Sequence, residues 1–488
     1  MHSAYTAEQI RAAERIVLAQ LPDGALMQRA AHALAGYCAA RLGRVYGARV
    51  VLLVGAGNNG GDALYAGAEL ARRGAAVTAL LLDPDRAHPG GLDAVRRAGG
   101  RAQPGDARAI AGAELVLDGI VGIGGRGGLA GTAADLAGAA ARARLDTATL
   151  VVAVDVPSGL DASTGEAGEV AVQADATVTF GALKTGLLVG AGPDHAGEVR
   201  LVDIGLGPAL STPRTRVLED GDVRGALPVP GTADDKYSRG VVGIAAGSQL
   251  YAGAGVLCTG AALTGGAGMV RYLGLAPDGI RARYPEVVVH DRHSGTRPGD
   301  VQVQAWVVGP GIGTDDEATS LLTDVLHTDV PVIVDADAIT LVARAPELVR
   351  RREAPTVLTP HDREFARIAD GPGPDRLAAV RAAAADLDAT VLLKGNATVV
   401  ADAGGQAYVN PTGTPWLGTA GSGDVLSGLI GALLAGGLDA SLAAAVGAYL
   451  HGVAGQQAAA SGPPTAVDVL NALRPVTAAI CLSRHRVL

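Results

Sequence analysis

The chain has 488 residues, of which 48% are hydrophobic and 18% are charged, so it is long enough for more than one domain and apolar enough to bury large cores. The formal net charge of −9 leaves no basic footprint of the kind that nucleic acids or anionic membranes attract. Cys38, Cys258 and Cys481 lack the paired spacing of a disulfide framework or a zinc site, and free thiols fit a reducing compartment. We therefore expect a cytoplasmic globular protein without nucleic-acid or membrane partners.

The N-terminal segment predicts a folded helix rather than a secretion signal. Residues 2–19 place four charged side chains at helical spacing behind a capping box from Thr6 to Gln9, and they contain no apolar core. The longest uncharged apolar run, 425–438, is shorter than the roughly 18 residues that a membrane span needs. It predicts a buried helix.

Short β-rich runs alternate with alanine-rich helical stretches in two series along the chain. The predicted strands are 50–54, 77–82, 115–117, 150–154 and 176–180 in the first series, and 241–245, 305–308, 330–334, 356–358 and 390–393 in the second. This alternation is typical of parallel sheets with crossover helices. Between the series, recurrent prolines in 206–231 predict a linker. We predict two different α/β domains, 1–214 and 215–488.

A glycine-rich turn follows the first predicted strand. Its G-x-G-x-x-G pattern at 55–60, with Asp83 ending the next strand, matches the dinucleotide fingerprint and would indicate an NAD-dependent oxidoreductase. Asp62 argues against this interpretation, because a carboxylate at the start of a helix opposes a pyrophosphate. Asn58 and Asn59 add polar groups that neither such a loop nor an ordinary turn requires.

Polar side chains recur at the ends of further strands of the first series. Asn59, Asp118, Asp155 and Ser158 all follow strands, and the carboxyl ends of parallel strands meet at one edge of a sheet. Oxygen ligands without thiol or imidazole suit a hard cation, so we predict a metal site there. Each aspartate alone is more often a helix cap; the combination favours the site.

Four motifs in the first half act together as a signature: Asn58-Asn59-Gly60-Gly61-Asp62, Asp118 with the glycine-rich loop 122–128, Asp155-x-Pro157-Ser158-Gly159, and Phe180-Gly181-x-x-Lys184. In combination they resemble the NAD(P)H-hydrate epimerase family, also called the YjeF N-terminal domain, over about residues 1–210. Ala63 departs from that family, which usually has glycine there.

That resemblance implies a Rossmann-like three-layer sandwich with a potassium ion held by Asn59, Asp118 and Ser158. It makes Asp155 and Lys184 the acid/base candidates for inverting C6 of the hydrated nicotinamide ring. The residues that it implies for contact with the hydrate are Asn58, Asn59, Gly60, Gly61, Asp62, Gly122, Ile123, Gly124, Gly125, Arg126, Gly127, Gly128 and Asp155.

The second half contains a candidate phosphate cradle at 418–424, Gly-Thr-Ala-Gly-Ser-Gly-Asp, directly before the apolar helix. Small residues let backbone amides approach an anion, and the helix dipole adds positive potential. Asp424 can then remove a proton from an attacking hydroxyl. An aspartate-capped helix after a glycine turn is the simpler alternative. No G-x-x-x-x-G-K-[ST] motif is present, so a P-loop is excluded.

Other strand ends support a nucleotide site: Lys394-Gly-Asn-Ala-Thr398, the glycine-rich 307–313, 358–364 with His361, and 247–254 opening a helix. By itself His361 is better explained as an ordinary loop histidine. Together these segments resemble the ribokinase-like fold, and more closely the ADP-dependent NAD(P)H-hydrate dehydratase family, over about residues 220–488.

This second resemblance implies a hydrate site and a site for ADP with Mg²⁺. The implied hydrate contacts are Ala254, Gly311, His361 and Asp424, and the implied nucleotide contacts are Lys394, Gly395, Asn396, Ala397, Thr398 and Gly423. The chain has only three lysines, and Lys236, like Lys184 and Lys394, lies within a motif. The role of Lys236 does not follow from the residues.

The combined prediction is a bifunctional repair enzyme that interconverts the R and S hydrates of NADH and NADPH (NADHX and NADPHX) and dehydrates the S form with ADP, releasing AMP and phosphate. Three alternatives stay open: a vitamin or small-molecule kinase with a regulatory nucleotide-binding N-terminal domain, an N-terminal binding module without turnover, and an oxidoreductase. Apolar helices favour self-association, and we expect a homo-oligomer.

Overall fold

The computed structural model of this protein describes residues 1–290 and 292–482. The chain divides into two compact units. One comprises Ser3–Arg214, and the other comprises Met1–His2 with Thr215–Leu488. Within the described residues, no helix is both long and apolar enough to span a bilayer.

The elements of the first unit are β1 (His2–Tyr5), α1 (Ala7–Leu18), α2 (Ala25–Leu42), β2 (Arg49–Val54), α3 (Asn58–Arg72), β3 (Ala76–Leu81), α4 (Pro89–Arg97), β4 (Arg101–Pro104), β5 (Leu115–Gly119), α5 (Gly131–Thr147), β6 (Leu150–Val154), β7 (Ala176–Phe180), β8 (Leu183–Lys184), α6 (Gly192–Ala196) and β9 (Glu198–Val202). Seven strands form a sheet in the order β4-β3-β2-β5-β6-β7-β9, and every pair is parallel. The carboxyl ends of its central strands therefore meet at one edge, as the sequence predicts.

Helices cover both faces of this sheet, and the alternation of side chains along β2 shows it. Val50 and Leu52 belong to a core shared with α2 and α3. Val51 and Leu53 belong to a second core that contains Leu136 of α5. Successive residues of a strand point to opposite faces, so the all-apolar run of β2 fits a strand that is buried on both sides. The first unit is a Rossmann-like three-layer sandwich.

The elements of the second unit are β10 (Thr215–Val217), α7 (Asp220–Ala226), β11 (Val241–Ala245), α8 (Ala252–Thr264), β12 (Met269–Tyr272), α9 (Pro277–Arg283), β13 (Val288–Val289), β14 (Ala305–Val308), α10 (Asp316–Leu326), β15 (Val332–Val334), α11 (Asp337–Val342), α12 (Glu347–Arg350), β16 (Thr356–Leu358), α13 (Asp362–Ile368), α14 (Arg376–Leu387), β17 (Thr390–Leu393), β18 (Thr398–Ala401), β19 (Ala407–Asn410), α15 (Ser422–Ala435), α16 (Ala440–Ala459) and α17 (Ala466–Leu482). The strand order is β13-β12-β11-β14-β15-β16-β17-β18-β19-β10. Its central strands are parallel, while β17, β18 and β19 form an antiparallel meander.

Residues 425–435 of the predicted apolar run lie in α15, which begins at Ser422 and ends at Ala435, and residues 436–438 follow the helix. Val425 and Leu429 are buried in the core of the second unit, as are most residues of this helix. The prediction of a buried helix is confirmed. Its first turn borders the sheet at the point where the candidate phosphate cradle ends.

Two predictions about local structure are wrong. Residues 206–231 are not only linker, because they contain β10, which pairs with β19, and α7. Residues 2–19 are not one helix: β1 comes first, and the capping box of Thr6 and Gln9 then starts α1. Both missed strands are short, and their pairing partners are distant in sequence, so no local pattern marked them.

Candidate active sites

The glycine turn after β2 is shaped by close backbone approach. A Cβ atom built on Gly55 would lie 1.8 Å from the carbonyl oxygen of Ile120, so only glycine fits there. Gly57 is extended, and α3 begins at Asn58. Residues 58–62 therefore form the first turn of α3 rather than a loop, and they border a cavity of about 640 Å³.

Ala63, which departs from the family pattern, packs against a glycine of the neighbouring strand. Ala63 is fully buried in α3. A Cβ atom on Gly119, at the end of β5, would lie 2.5 Å from the Ala63 methyl group. The absence of a side chain at Gly119 thus makes the room that Ala63 needs.

Two of the predicted cation ligands, Asp118 and Ser158, bind each other, and the third, Asn59, lines the cavity. Ser158 donates from its amide to Asp118 Oδ2 at 2.8 Å and from its hydroxyl to Asp118 Oδ1 at 2.6 Å. Asp118 is fully buried, and it forms no ion pair with any described residue. Asn59 is buried beside Gly122, with its side-chain amide nitrogen unpaired. Burial raises the pKa of Asp118 to about 6, and the hydrogen bonds from Ser158 partly offset this rise.

The predicted acid/base pair is a buried ion pair. Lys184 is almost fully enclosed, and its Nζ lies 2.5 Å from Asp155 Oδ1 and 2.8 Å from the carbonyl oxygen of Phe180. The Phe180 amide also donates to Asp155 Oδ1 at 3.0 Å. Asp155 has a φ of +68°, which few residues other than glycine adopt, so the backbone is strained where this carboxylate enters the cavity.

Two further carboxyl groups line the same cavity, Asp62 from α3 and Glu14 from α1. Burial raises the pKa of Asp62 well above its usual value, and the charge of Asp155 adds to the effect. Burial and Asp155 likewise raise the pKa of Glu14, while Lys184 opposes them. The cavity therefore combines a carboxylate fixed by a lysine with two carboxyl groups that retain protons more readily.

Only part of the predicted hydrate-contact set reaches this cavity. Its lining contains Asn58, Asn59, Asp62, Gly122, Ile123, Gly124 and Asp155. Gly60 lies against the backbone of Gly55, and Gly61 lies against Met27. Gly125, Arg126, Gly127 and Gly128 lie outside the lining; Gly128 packs closely on the backbone around Gly168.

In the second unit, the cradle at 418–424 borders a cavity of about 540 Å³. Gly421 has a φ of +88° and precedes the first residue of α15, and the start of a helix leaves its first amides without intrahelical acceptors. A Cβ atom on Gly423 would lie 3.2 Å from Lys394 Nζ, so glycine allows the lysine to approach this turn. Free amides and a lysine at a helix start are the groups that suit an anion.

Asp424 lies half-buried in the first turn of α15. It forms no hydrogen bond or ion pair with the residues that the structure describes. Burial and then the charge of Asp335 raise its pKa to about 7, although Lys394 opposes them. A carboxylate with a pKa near neutrality suits a general base.

Lys394 is held by carboxylates other than Asp424. Its Nζ lies 2.8 Å from Asp335 Oδ1 and 3.8 Å from Glu364 Oε2. Burial lowers the pKa of Lys394, but the charges of Asp335 and Glu364 outweigh it, so the pKa is raised overall. Ser427 of α15 donates to the other oxygen of Asp335 at 2.7 Å. The lysine is therefore a fixed cation in this cavity.

His361 has a structural role and also borders the cavity. Its Nδ1 accepts hydrogen bonds from the amides of Arg363 and Glu364 at 3.1 and 3.2 Å, which caps α13. Half of its side chain is exposed, and it lines the cavity with Gly395, Asn396 and other residues. Thr398 and Gly423 also line the cavity.

Three predicted contacts do not line this cavity. Ala254 and Gly311 pack against each other outside the lining, and Ala397 is buried.

Sequence reasoning missed four side chains of these sites: Glu14, Asp335, Glu364 and His451. Asp335 and Glu364 both follow strands of the parallel sheet, so the strand-end argument could have found them. His451 is buried in α16 with Nε2 unpaired, and burial lowers its pKa to about 4. No local pattern in this alanine-rich helix indicates that His451 belongs to the site.

Lys236 is exposed and lies 5.1 Å from the Tyr237 ring.

Fold and sites define an α/β enzyme in which a Rossmann-like unit is fused to a ribokinase-like unit. The model of the NAD(P)H-hydrate dehydratase family matches residues 242–474, and that of the YjeF-related protein N-terminus matches residues 23–186. A ribokinase-like superfamily protein from Enterococcus faecalis is 27% identical, with a TM-score of 0.51, and covers 56% of this chain and 99% of its own. A Bacillus subtilis ADP/ATP-dependent NAD(P)H-hydrate dehydratase co-crystallised with ATP and Mg²⁺ aligns at 27% identity over 54% of this chain and 97% of its own, with a TM-score of 0.49.

Relatives that match both units establish the family. The bifunctional NAD(P)H-hydrate repair enzyme of Mycobacterium tuberculosis is 52% identical over 456 residues, which cover 91% of this chain and 92% of the relative. The chain belongs to the family of bifunctional NAD(P)H-hydrate repair enzymes. The oxidoreductase interpretation of the G-x-G-x-x-G pattern is therefore set aside.

Proposed function

We propose that residues 1–214 epimerise the R and S forms of NADHX and NADPHX, and that residues 215–488 dehydrate the S form with ADP. The observation that carries the second activity is the Asp424 carboxyl, whose pKa lies at about 7 beside an anion-binding turn and a fixed lysine. The two compact units support the division of the chain.

In the dehydratase site, Asp424 takes the proton from the C6 hydroxyl of the hydrate as that oxygen attacks the terminal phosphorus of ADP. Lys394 and the amides at the start of α15 stabilise the phosphate oxygens, and AMP leaves. Phosphate then leaves C6, assisted by the ring nitrogen lone pair, and loss of a proton from C5 restores the dihydronicotinamide. Phosphorylation is needed because phosphate is a far better leaving group than hydroxide.

Mg²⁺ with ADP fits this cavity. Magnesium usually binds through phosphate oxygens, waters and one or two carboxylates, and Asp335 and Glu364 supply carboxylates at the lining. When bound, the ion would neutralise part of the phosphate charge. The lining residues that bind the nucleotide in this proposal are Lys394, Gly395, Asn396, Thr398 and Gly423, and those that contact the hydrate are His361 and Asp424. The proposal leaves out Ala254, Gly311 and Ala397, which lie outside the lining.

In the epimerase site, Asp155 and Lys184 act on the hydrate, which is a hemiaminal whose C6 bears both hydroxyl and ring nitrogen. Asp155 accepts the hydroxyl proton while the C6–N1 bond breaks, and the resulting aldehyde can rotate before the ring closes on its other face. Lys184 positions Asp155 through an ion pair of 2.5 Å. Contacts to the hydrate come from the lining residues Asn58, Asn59, Asp62, Gly122, Ile123, Gly124 and Asp155.

The ligands proposed for potassium, Asn59, Asp118 and Ser158, fit a monovalent cation. A buried carboxylate without a cationic partner is costly unless its charge is compensated, and Asp118 is the one charged member of the set. Amide and hydroxyl oxygens complete a hard-cation donor set. The ion would fix the ends of β5 and β6 beneath the hydrate cavity.

Two buried free thiols, Cys38 and Cys258, support a cytoplasmic location as part of the proposal. The homo-oligomeric state stays a prediction from the sequence.

One experiment tests both activities. An equal mixture of R and S hydrates is incubated with the full chain, Mg²⁺ and either ADP or ATP, and recovery of dihydronicotinamide absorbance is followed over times short relative to uncatalysed epimerisation. We expect complete recovery with the parent, recovery that stops near half with Asp155→Ala, and none with Asp424→Ala. Absence of recovery with both nucleotides contradicts the proposal, and a stable phosphorylated product favours a kinase.

A further inference from the structure

Helix α1 places two charged side chains in the epimerase cavity. Arg11 and Glu14 are one turn apart and therefore lie on the same side of the helix. Both line the cavity with Asp62 and Asp155. The guanidinium of Arg11 donates to the carbonyl oxygen of Ile123 at 2.6 Å, so it anchors the glycine-rich loop. Glu14 makes no corresponding contact with this loop.

The start of α1 is fixed to the residues that hold Asp155. Tyr5 of β1 is paired with Lys184 of β8, and the Ala7 amide donates to the Ser163 hydroxyl at 3.0 Å. The capping box at Thr6 then sets the direction of the helix. Because the lysine that binds Asp155 also pairs with the strand before α1, the position of Glu14 relative to Asp155 is set by backbone pairing.

Glu14 has no partner that would explain it structurally. It is half-buried, and it forms no hydrogen bond or ion pair with the described residues. The titratable groups that line the cavity with it are Arg11, Asp62, Tyr65, His88 and Asp155, and Lys184 lies behind Asp155. The carboxyl of Glu14 is therefore available to a ligand in the cavity.

The chemistry of epimerisation needs a second proton-transfer group. Asp155, paired with Lys184, is suited to accept the hydroxyl proton, but the electron pair of the breaking C6–N1 bond arrives on nitrogen, which needs a proton. Burial and the charge of Asp155 raise the pKa of Glu14, so this carboxyl retains a proton more readily than an exposed one. A carboxylate and a carboxylic acid in different environments are a recurrent acid/base arrangement.

Resting on the proposed epimerase activity, we propose that Glu14 is a catalytic residue that donates a proton to the ring nitrogen as the C6–N1 bond breaks and Asp155 takes the hydroxyl proton. The open-chain aldehyde rotates about C5–C6. On closure the nitrogen attacks the other face of the carbonyl, Glu14 recovers its proton from nitrogen, and Asp155 returns its proton to the oxygen. Both groups end in their starting states.

The test uses Glu14→Gln in the full chain, with Glu8→Gln as the matched control, since Glu8 is an exposed glutamate on the same helix. Pure R hydrate is incubated without nucleotide, and the S hydrate is measured by chromatography across pH. We expect Glu14→Gln to lower kcat about 100-fold or more with little change in KM, whereas Glu8→Gln stays near the parent. The parent rate should fall at alkaline pH as Glu14 loses its proton, and the variant should lose this limb.

Several outcomes would overturn the role of Glu14: an unchanged kcat, a change in KM alone, or a lower kcat with the alkaline limb intact, which indicates a structural effect. Retained ADP-dependent dehydration of the S hydrate and an unchanged thermal transition check that the variant is folded. If neither the parent nor Glu8→Gln epimerises the R hydrate, the proposed epimerase function itself fails. If they epimerise it and Glu14→Gln does so equally well, only the inference about Glu14 fails.

Discussion

A lysine is bound to carboxylates at each of the two cavities, but its relation to the proposed base differs: Lys184 is buried behind Asp155, and Lys394 lines the second cavity. In the first unit Lys184 contacts the proposed base Asp155 directly, at 2.5 Å. In the second unit Lys394 contacts Asp335 and Glu364, and the proposed base Asp424 has no ion pair with the described residues. The same residue type thus binds the proposed base directly in one unit and binds other carboxylates in the other.

This difference fits the two proposed reactions. Epimerisation returns every proton to its starting place, so Asp155 can accept a proton and give it back within one cycle if a second group serves the ring nitrogen. Phosphoryl transfer needs a base that accepts a proton beside an anion, where a pKa near neutrality is useful. The lysine there is better placed on the phosphate than on the base.

The largest expected effect is the loss of one activity without the other. Asp424→Asn should lower kcat for ADP-dependent dehydration of the S hydrate by about 10³-fold, because the general base is lost while the fold is kept. Epimerisation of the R hydrate should be unchanged. Asp316→Asn, an exposed aspartate in the first turn of α10, is the control for both assays. Comparable dehydration rates in Asp424→Asn and the control would remove Asp424 from the mechanism.

Breaking the direct lysine pair should affect stability as well as rate. Lys184→Met leaves Asp155 buried without its cation, which we expect to cost about 3 kcal/mol in the free energy of unfolding and to lower the epimerisation rate about 100-fold. Urea unfolding and the R-hydrate assay measure the two effects. Lys236→Met removes an exposed lysine and should change neither. Equal stability of both variants would show that the ion pair is dispensable.

The pH dependence of dehydration should report the ionisation of Asp424. Because Asp424 must be ionised to accept a proton, kcat/KM should rise with pH through about 7. Asp335→Asn removes a negative charge that raises the pKa of Asp424, so the rising limb should move to lower pH by about one unit. Rate profiles over roughly pH 5 to 9 measure this shift. An upward shift of the limb contradicts the assignment.

The smallest expected effect concerns the cation site. Potassium that binds only the folded state should stabilise the chain by about 1 kcal/mol at about five times its Kd. Thermal unfolding in KCl, compared with choline chloride at equal ionic strength, measures it. Asp118→Asn should abolish the difference, because the charged ligand is lost. A potassium effect of equal size in Asp118→Asn would place the ion elsewhere.

Much of the fold followed from local patterns. Strands such as β6, β7, β11 and β14 have the predicted limits, because an apolar run buried on both faces is unambiguous when turn residues bound it. Short edge strands were missed, since β8 and β13 have two residues each and exist only through their neighbours. Strand β17 was predicted with its limits, but β18 and β19, which complete the antiparallel meander, were missed.

The sequence by itself determined the motifs, the parallel-sheet architecture and the candidates Asp155, Lys184, Lys394 and Asp424, because these residue types recur at strand ends and helix starts. Only the tertiary structure decided which carboxylate each lysine binds, since those partners are 29 residues apart in the first unit and 59 in the second. It also brought Glu14 from an N-terminal helix into the epimerase cavity. Proton affinity depends on burial and on charges contributed by distant parts of the chain, and no local pattern specifies those.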